Sequence, residues 1–147
     1  MAEAGGSRIS GRCLCGAVTF SAEVARREAG VCHCRMCQSW TGGPFVAVEC
    51  VEGSLAVGGA EHLGVYPSSA WATRQFCKTC GSTLFWRSND GKFNAVSAGA
   101  LDDKSDFTLV SEIFIDEKPA YYDFANKTKR MTGAEFTASL PVPPASD

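Results

Sequence analysis

The residues of this chain best equipped for chemistry are its cysteines. Eight occur in 147 residues, and seven of them stand in three short groups. "GRCLCGAV" carries Cys13 and Cys15, "VCHCRMCQSW" carries Cys32, Cys34 and Cys37, and "FCKTCGS" carries Cys77 and Cys80. Thiols this close together ligate metal or exchange as disulfides, and the compartment decides between the two. The opening "MAEAGGSRISGRC" lacks the apolar core of a secretory signal, and no stretch approaches the ~18 apolar residues of a membrane span. The expectation is a reducing cytoplasm and no membrane, where clustered cysteines read as metal ligands.

Two of the groups complement each other. In extended chain, side chains two apart point the same way, so Cys13-x-Cys15 offers two thiolates to one ion. In Cys77-x-x-Cys80 a tight turn brings both sulfurs to one point, and Gly81 tolerates the positive φ that such a turn needs. Two plus two make the four-thiolate tetrahedron of structural zinc. Such an ion would join segments about sixty residues apart, closing a long loop. In small metal peptides a structural zinc supplies about 10–16 kcal/mol of apparent folding free energy. The alternative, four ordinary packed thiols, leaves the spacing and the two following glycines unexplained.

The remaining group, Cys32, Cys34 and Cys37, is one ligand short of closure. Cys50, in "PFVAVECVEG", reads as a packed thiol of a buried strand, with a fourth-ligand role as the alternative. His33 should face away from an ion held by its neighbours, and His62 reads as a surface or core histidine. The favoured reading is an open position, which marks a catalytic zinc. Three thiolates leave such a centre with a net negative charge. It is then a weak Lewis acid towards water but well suited to bind and deprotonate a visiting thiol. The alternatives are a second structural zinc closed by Cys50 or by a partner, and, on cysteine count alone, an iron–sulfur centre.

The elements that must position these groups are mostly β. Hydrophobic residues make up 45% and charged residues 20% of the chain, within the range of a globular domain. Its length suits one domain with its own core. A net charge of −2 gives no basic patch for nucleic acid. Short β-rich runs recur: "AVTFSAE", "FVAVECV", "SLAV", "TRQF", "FNAVSAG" and "SEIFI", divided by turn-formers such as Gly42-Gly43-Pro44 and Asn89-Asp90-Gly91. Only Arg35 to Ser39 and Gly133 to Leu140 suit short helices. Residues 1–10 read as a flexible lead-in, 11–140 as a single zinc-binding domain, and 141–147, "PVPPASD", as a flexible tail. Nothing in the pattern specifies an oligomeric state.

In this order, "GRCLCGAVTF", "CHCRMCQSWTGGPF", "RQFCKTCGSTLFW" and "VSAGALDD" resemble the glutathione-dependent formaldehyde-activating family, which includes the zinc domain of centromere protein V. The resemblance spans about Gly11 to Asp103. It implies a β-tent-like fold of small antiparallel sheets, with a structural zinc on Cys13, Cys15, Cys77 and Cys80. A second, exchangeable or catalytic zinc falls on Cys32, Cys34 and Cys37. It also implies a carbon–sulfur lyase-type activity that joins formaldehyde and glutathione as S-(hydroxymethyl)glutathione, or related thiol-adduct chemistry. Arg74 could then hold a glutathione carboxylate through a forked pair of hydrogen bonds, or be an exposed strand arginine. Trp40 and Phe45 could line the pocket or simply pack. A protein-binding module stabilised by two zincs is the alternative function.

Overall fold

The computed structural model describes residues 7–140. In chain order the elements are β1 (Ser7–Arg12), β2 (Thr19–Val24), β3 (Glu28–Cys32), α1 (Arg35–Thr41), β4 (Phe45–Glu49), β5 (Ala56–Gly58) and β6 (Leu63–Pro67). β7 (Ala72–Cys77), β8 (Thr83–Ser88), β9 (Asn94–Ser97), β10 (Thr108–Ile113), β11 (Lys129–Met131) and α2 (Gly133–Ser139) follow. The strands form a three-stranded sheet, β1-β2-β5, and an eight-stranded sheet, β11-β10-β3-β4-β9-β8-β7-β6. Pairing is antiparallel except where β10 runs parallel to β3 and β11. The mostly-β expectation holds.

The core lies where the two sheets face each other. Along β2 the alternation of apolar and polar side chains buries Phe20, Ala22 and Val24 and leaves Thr19 and Glu23 outside, the period-two pattern of a half-buried strand. Phe20 meets Phe85 of β8 edge-on, with ring centroids 5.2 Å apart. Val18, Val48, Leu84, Phe85 and Val96 are wholly removed from solvent, and each such side chain contributes about 1.5–3 kcal/mol. Cys13, Cys50 and Cys77 belong to the same packed cluster, so two of the clustered thiols are anchored in the core itself.

The structure corrects the expected lead-in. Residues 7–10 form the first part of β1, paired from Ser7↔Val24 to Arg12↔Thr19, and Ile9 is buried. The rest of the expected lead-in (1–6) and the expected tail (141–147) lie outside the described residues. Both short helices occur. α1 is capped at its start by the Cys34 side chain, which accepts from the Cys37 amide. α2 opens with a capping box between Thr132 and Glu135, which satisfies amides that the first turn leaves free. β1, β3, β6, β8 and β11 are strands that the pattern reading did not mark.

Candidate metal centres

The first thiol set sits where two turns dock. Cys13 and Cys15 lie in the β1–β2 turn, which Cys13 N→Val18 O (3.0 Å) and Gly16 N→Cys13 O (3.1 Å) close. Cys77 ends β7, and the turn to β8 is closed by Gly81 N→Cys77 O (2.8 Å) and Cys77 N→Ser82 O (3.0 Å). Gly16 (φ 82) and Gly81 (φ 81) supply the left-handed backbone that finishes each turn. Ser82 ties the turns together: its hydroxyl accepts from the Leu14 amide at 2.9 Å and lies 3.2 Å from Cys80 Sγ. The four sulfurs gather within 4.8 Å of one another, with Cys13 to Cys15 at 3.7 Å and Cys15 to Cys77 at 3.8 Å.

Those separations test the fit of a metal. Zinc–thiolate bonds of about 2.3 Å in a tetrahedron place sulfurs about 3.8 Å apart. Amides already point at the sulfurs: Val18 N reaches Cys13 Sγ at 3.3 Å, and Thr79 N and Cys80 N reach Cys77 Sγ at 3.3 and 3.4 Å. Hydrogen bonding from Ser82 lowers the Cys80 thiol to about 5. The donor set is pre-shaped for thiolate and suits a soft or borderline divalent ion.

The second set is built on one short loop. Cys32 ends β3, Cys34 caps α1, and Cys37 lies buried in the first helical turn. The cap explains the C-x-x-C spacing: an N-cap sulfur that accepts from the amide three residues on (3.3 Å) must lie on the side where that residue's own side chain emerges. The three sulfurs also gather within 4.8 Å. Their titrations are split. Cys34 is held far below the ordinary thiol range by hydrogen bonds from Cys32 and Cys37 and by the Arg74 cation, while Cys32 is pushed far above it by Cys34, Cys37 and burial. Each ionised sulfur here opposes ionisation of its neighbours, and a divalent ion would relieve that opposition.

Arg74, Trp40 and Phe45 lie together beside this set. Arg74, on β7, is 5% exposed, so the exposed-arginine alternative does not describe it. Its Nη1 donates to Cys37 Sγ at 3.4 Å, its guanidinium lies 5.0 Å from the Trp40 ring centroid, and its buried Nε has no hydrogen-bond partner among the described residues. Trp40 packs on Phe45, centroids 5.1 Å apart, and Phe45 pairs in register with Cys32. Cys50 stays in the core outside both sets, and burial pushes its thiol up to about 11. His33 does face away from the sulfurs, and His62 is a half-exposed neighbour of Glu61. A groove of about 690 Å³ borders the first set: Cys13 and Ser82 line it together with Thr41, Pro44 and Phe45 from the segment that follows Cys37, while none of Cys32, Cys34, Cys37 and Arg74 does.

The sequence reading missed what His33 faces. Its ring nitrogens meet Glu112 at 2.8 Å and Tyr122 at 2.7 Å. Burial alone would raise Glu112, but hydrogen bonds from Thr128 and His33 and the Arg130 cation outweigh it and hold the carboxyl below its usual range. The available signal was the histidine itself, since a ring turned inward from between two ligands needs polar partners.

Residues 8–117 match the family model described as glutathione-dependent formaldehyde-activating enzyme. An uncharacterized lyase of Schizosaccharomyces pombe is 37% identical over 131 residues, covering 88% of this chain and 95% of its own length. A crystal structure of a Rhodobacter sphaeroides protein superposes with a TM-score of 0.56 at 26% identity, covering 69% of this chain and 99% of that one.

Proposed function

The chain belongs to the glutathione-dependent formaldehyde-activating family, and we propose on that premise that it is a lyase-type enzyme acting at the carbon–sulfur bond of a glutathione adduct. The relative in fission yeast carries the lyase name. The observation that carries the reading is the second thiol set: three sulfurs on one loop, with no fourth thiol joining them among the described residues, beside a buried arginine. A zinc ion held by Cys32, Cys34 and Cys37 would supply an open position where a thiol binds and loses its proton. The first set, with four thiols to fill all four corners, would hold a structural zinc.

The chain's own residues then have definite tasks. Arg74 places a cation against Cys37 and offsets the negative charge of the ionised sulfurs, which an added thiolate would increase. Trp40 and Phe45 form an apolar wall that excludes water from the reacting carbon. The groove that Phe45 shares with Arg12, Thr41 and Asp102 receives the polar arms of the tripeptide thiol. The reaction balances without an oxidant. The thiol gives up a proton, its sulfur forms a bond to the aldehyde carbon as the carbonyl π bond breaks, and the oxygen takes up a proton, leaving a hydroxymethyl group on sulfur.

Exchange NMR at equilibrium tests this directly. The metal-loaded protein should speed exchange between formaldehyde plus glutathione and the hydroxymethyl adduct, and Cys37→Ser should abolish that gain while the fold persists. A metal-loaded protein with no gain over the uncatalysed exchange would sink the reading.

A further inference from the structure

The reading above gives His33 no task, yet it is the most tightly held side chain beside the second thiol set. Its ring is wholly buried and packs in a triangle with the rings of Tyr122 and Phe124, centroids at 5.5 and 5.9 Å. The Tyr122 hydroxyl is 2.7 Å from Nδ1, and Glu112 Oε1 is 2.8 Å from Nε2. The second Glu112 oxygen accepts from Thr128 Oγ1 at 2.6 Å and lies 3.8 Å from Arg130 Nε. The His33 backbone is fixed as well: its amide donates to Ile113 O at 3.1 Å, and its carbonyl accepts from Gln38 Nε2 at 2.7 Å. Gln38 also reaches Glu117 O at 3.0 Å, and Glu117 Oε1 receives the Arg35 amide at 2.7 Å.

Burying a carboxylate and an imidazole is costly, and two apolar side chains could fill the same volume without that cost. What such a network gives instead is a single geometry, because every member is satisfied in one arrangement only. The need for that lies next door. The first thiol set is fixed by two docked turns and four ligands. The second has three ligands on one loop and must take its rigidity from outside.

We propose that Glu112 and Tyr122 are positioning residues for Cys32, Cys34 and Cys37, acting through His33, and that residues 118–131 form a strap holding this loop in shape. The proposal rests on the reading that the second set holds zinc. The strap lies beyond the residues matched by the family model, 8–117, while the similarity to the fission-yeast relative, over 88% of this chain, extends into it. Tyr122 O–H donating to Nδ1 leaves the Nε2 proton for Glu112, which fixes one tautomer and one ring orientation. The far end of the strap is anchored twice. β11 pairs with β10 from Ser111↔Lys129 to Ile113↔Met131, and Gly133 admits the Phe114 ring, which a Cβ there would meet at 2.4 Å.

The test is metal release from the intact zinc-loaded protein to a chromogenic chelator, with cobalt substitution to follow thiolate charge-transfer bands. Glu112→Gln should speed release from the second site by about 10–100-fold, and Tyr122→Phe, which keeps the ring, by a smaller factor. Release from the first site should match wild type in both variants, and the second-site cobalt bands should shift in both. Wild-type release from the second site in both folded variants would overturn the proposal, as would equal loosening of both sites. A wild-type protein that takes up only one metal equivalent would overturn the underlying metal reading instead.

Discussion

Arg74→Met isolates the charge balance of the second thiol set. Arg74 Nη1 lies 3.4 Å from Cys37 Sγ, and at an effective dielectric of ~20 two unit charges at that separation attract by about 5 kcal/mol. Desolvation of both partners offsets much of this gross figure, but removing one member of a buried pair still costs about 3–5 kcal/mol, because the other charge stays behind uncompensated. With 5% of Arg74 exposed, solvent screens little of it. At about 1.4 kcal/mol per decade, the metal dissociation constant of the second site should rise by about 100-fold or more. Arg74→Lys should recover part of the loss, since the charge returns without the planar fork or the stacking on Trp40. Competitive chelator titration, with the first site as internal reference, gives the numbers. Wild-type metal affinity in Arg74→Met would refute the charge-balance argument. If thiol affinity alone fell, Arg74 would instead be a partner of the substrate's carboxylate.

Cys77→Ser should remove the first site, and with Cys77 fully buried in the core the fold should go with it, seen as loss of a cooperative thermal transition by circular dichroism. Cys50→Ala should leave both metal equivalents in place by elemental analysis and lower stability by only about 1 kcal/mol, because Cys50 lies outside both sets. Glu112 has a folded-state pKa below its ordinary 4.5, so the unfolded chain takes up that proton first as pH falls. Its stabilisation is full above the unfolded value and fades as pH drops through the lower folded one. Wild type should therefore lose more denaturant resistance than Glu112→Gln between about pH 5 and 3.

Much of the site was legible because it is local. C-x-C and C-x-x-C fix sulfur separation within a few residues, and glycine after a ligand pair states the backbone conformation required. The same holds for β2 and β7, whose patterns show in a short window. β8 did not show because "TLFWRS" does not alternate: Leu84 and Phe85 are adjacent and both wholly buried, because the ladder to β7 shifts there, with Phe76 opposite Thr83 and Gln75 opposite Phe85 and Leu84 as the extra residue of a bulge. β11 has three residues, two of them charged and exposed, so neither periodicity nor hydropathy marks it. Glu112 and Tyr122 are 79 and 89 residues from His33. Only the parallel pairing of β10 with β3 brings Glu112 there, and no spacing rule reaches across a sheet.

The two thiol sets share a ligand type and differ in mechanics, and that difference separates their roles. The first takes ligands from the β1–β2 turn and the β7–β8 turn, one in each sheet. An ion there crosslinks the two layers whose facing side chains form the core, so its loss is a loss of fold. All three ligands of the second lie between the end of β3 and the first turn of α1. An ion there crosslinks almost nothing that the backbone has not already joined, so it can be exchanged, or take up and release a fourth ligand, without disturbing the sheets. A site that is mechanically dispensable can afford an open corner. The order of metal release under a chelator, second site well before first, should follow from this placement alone.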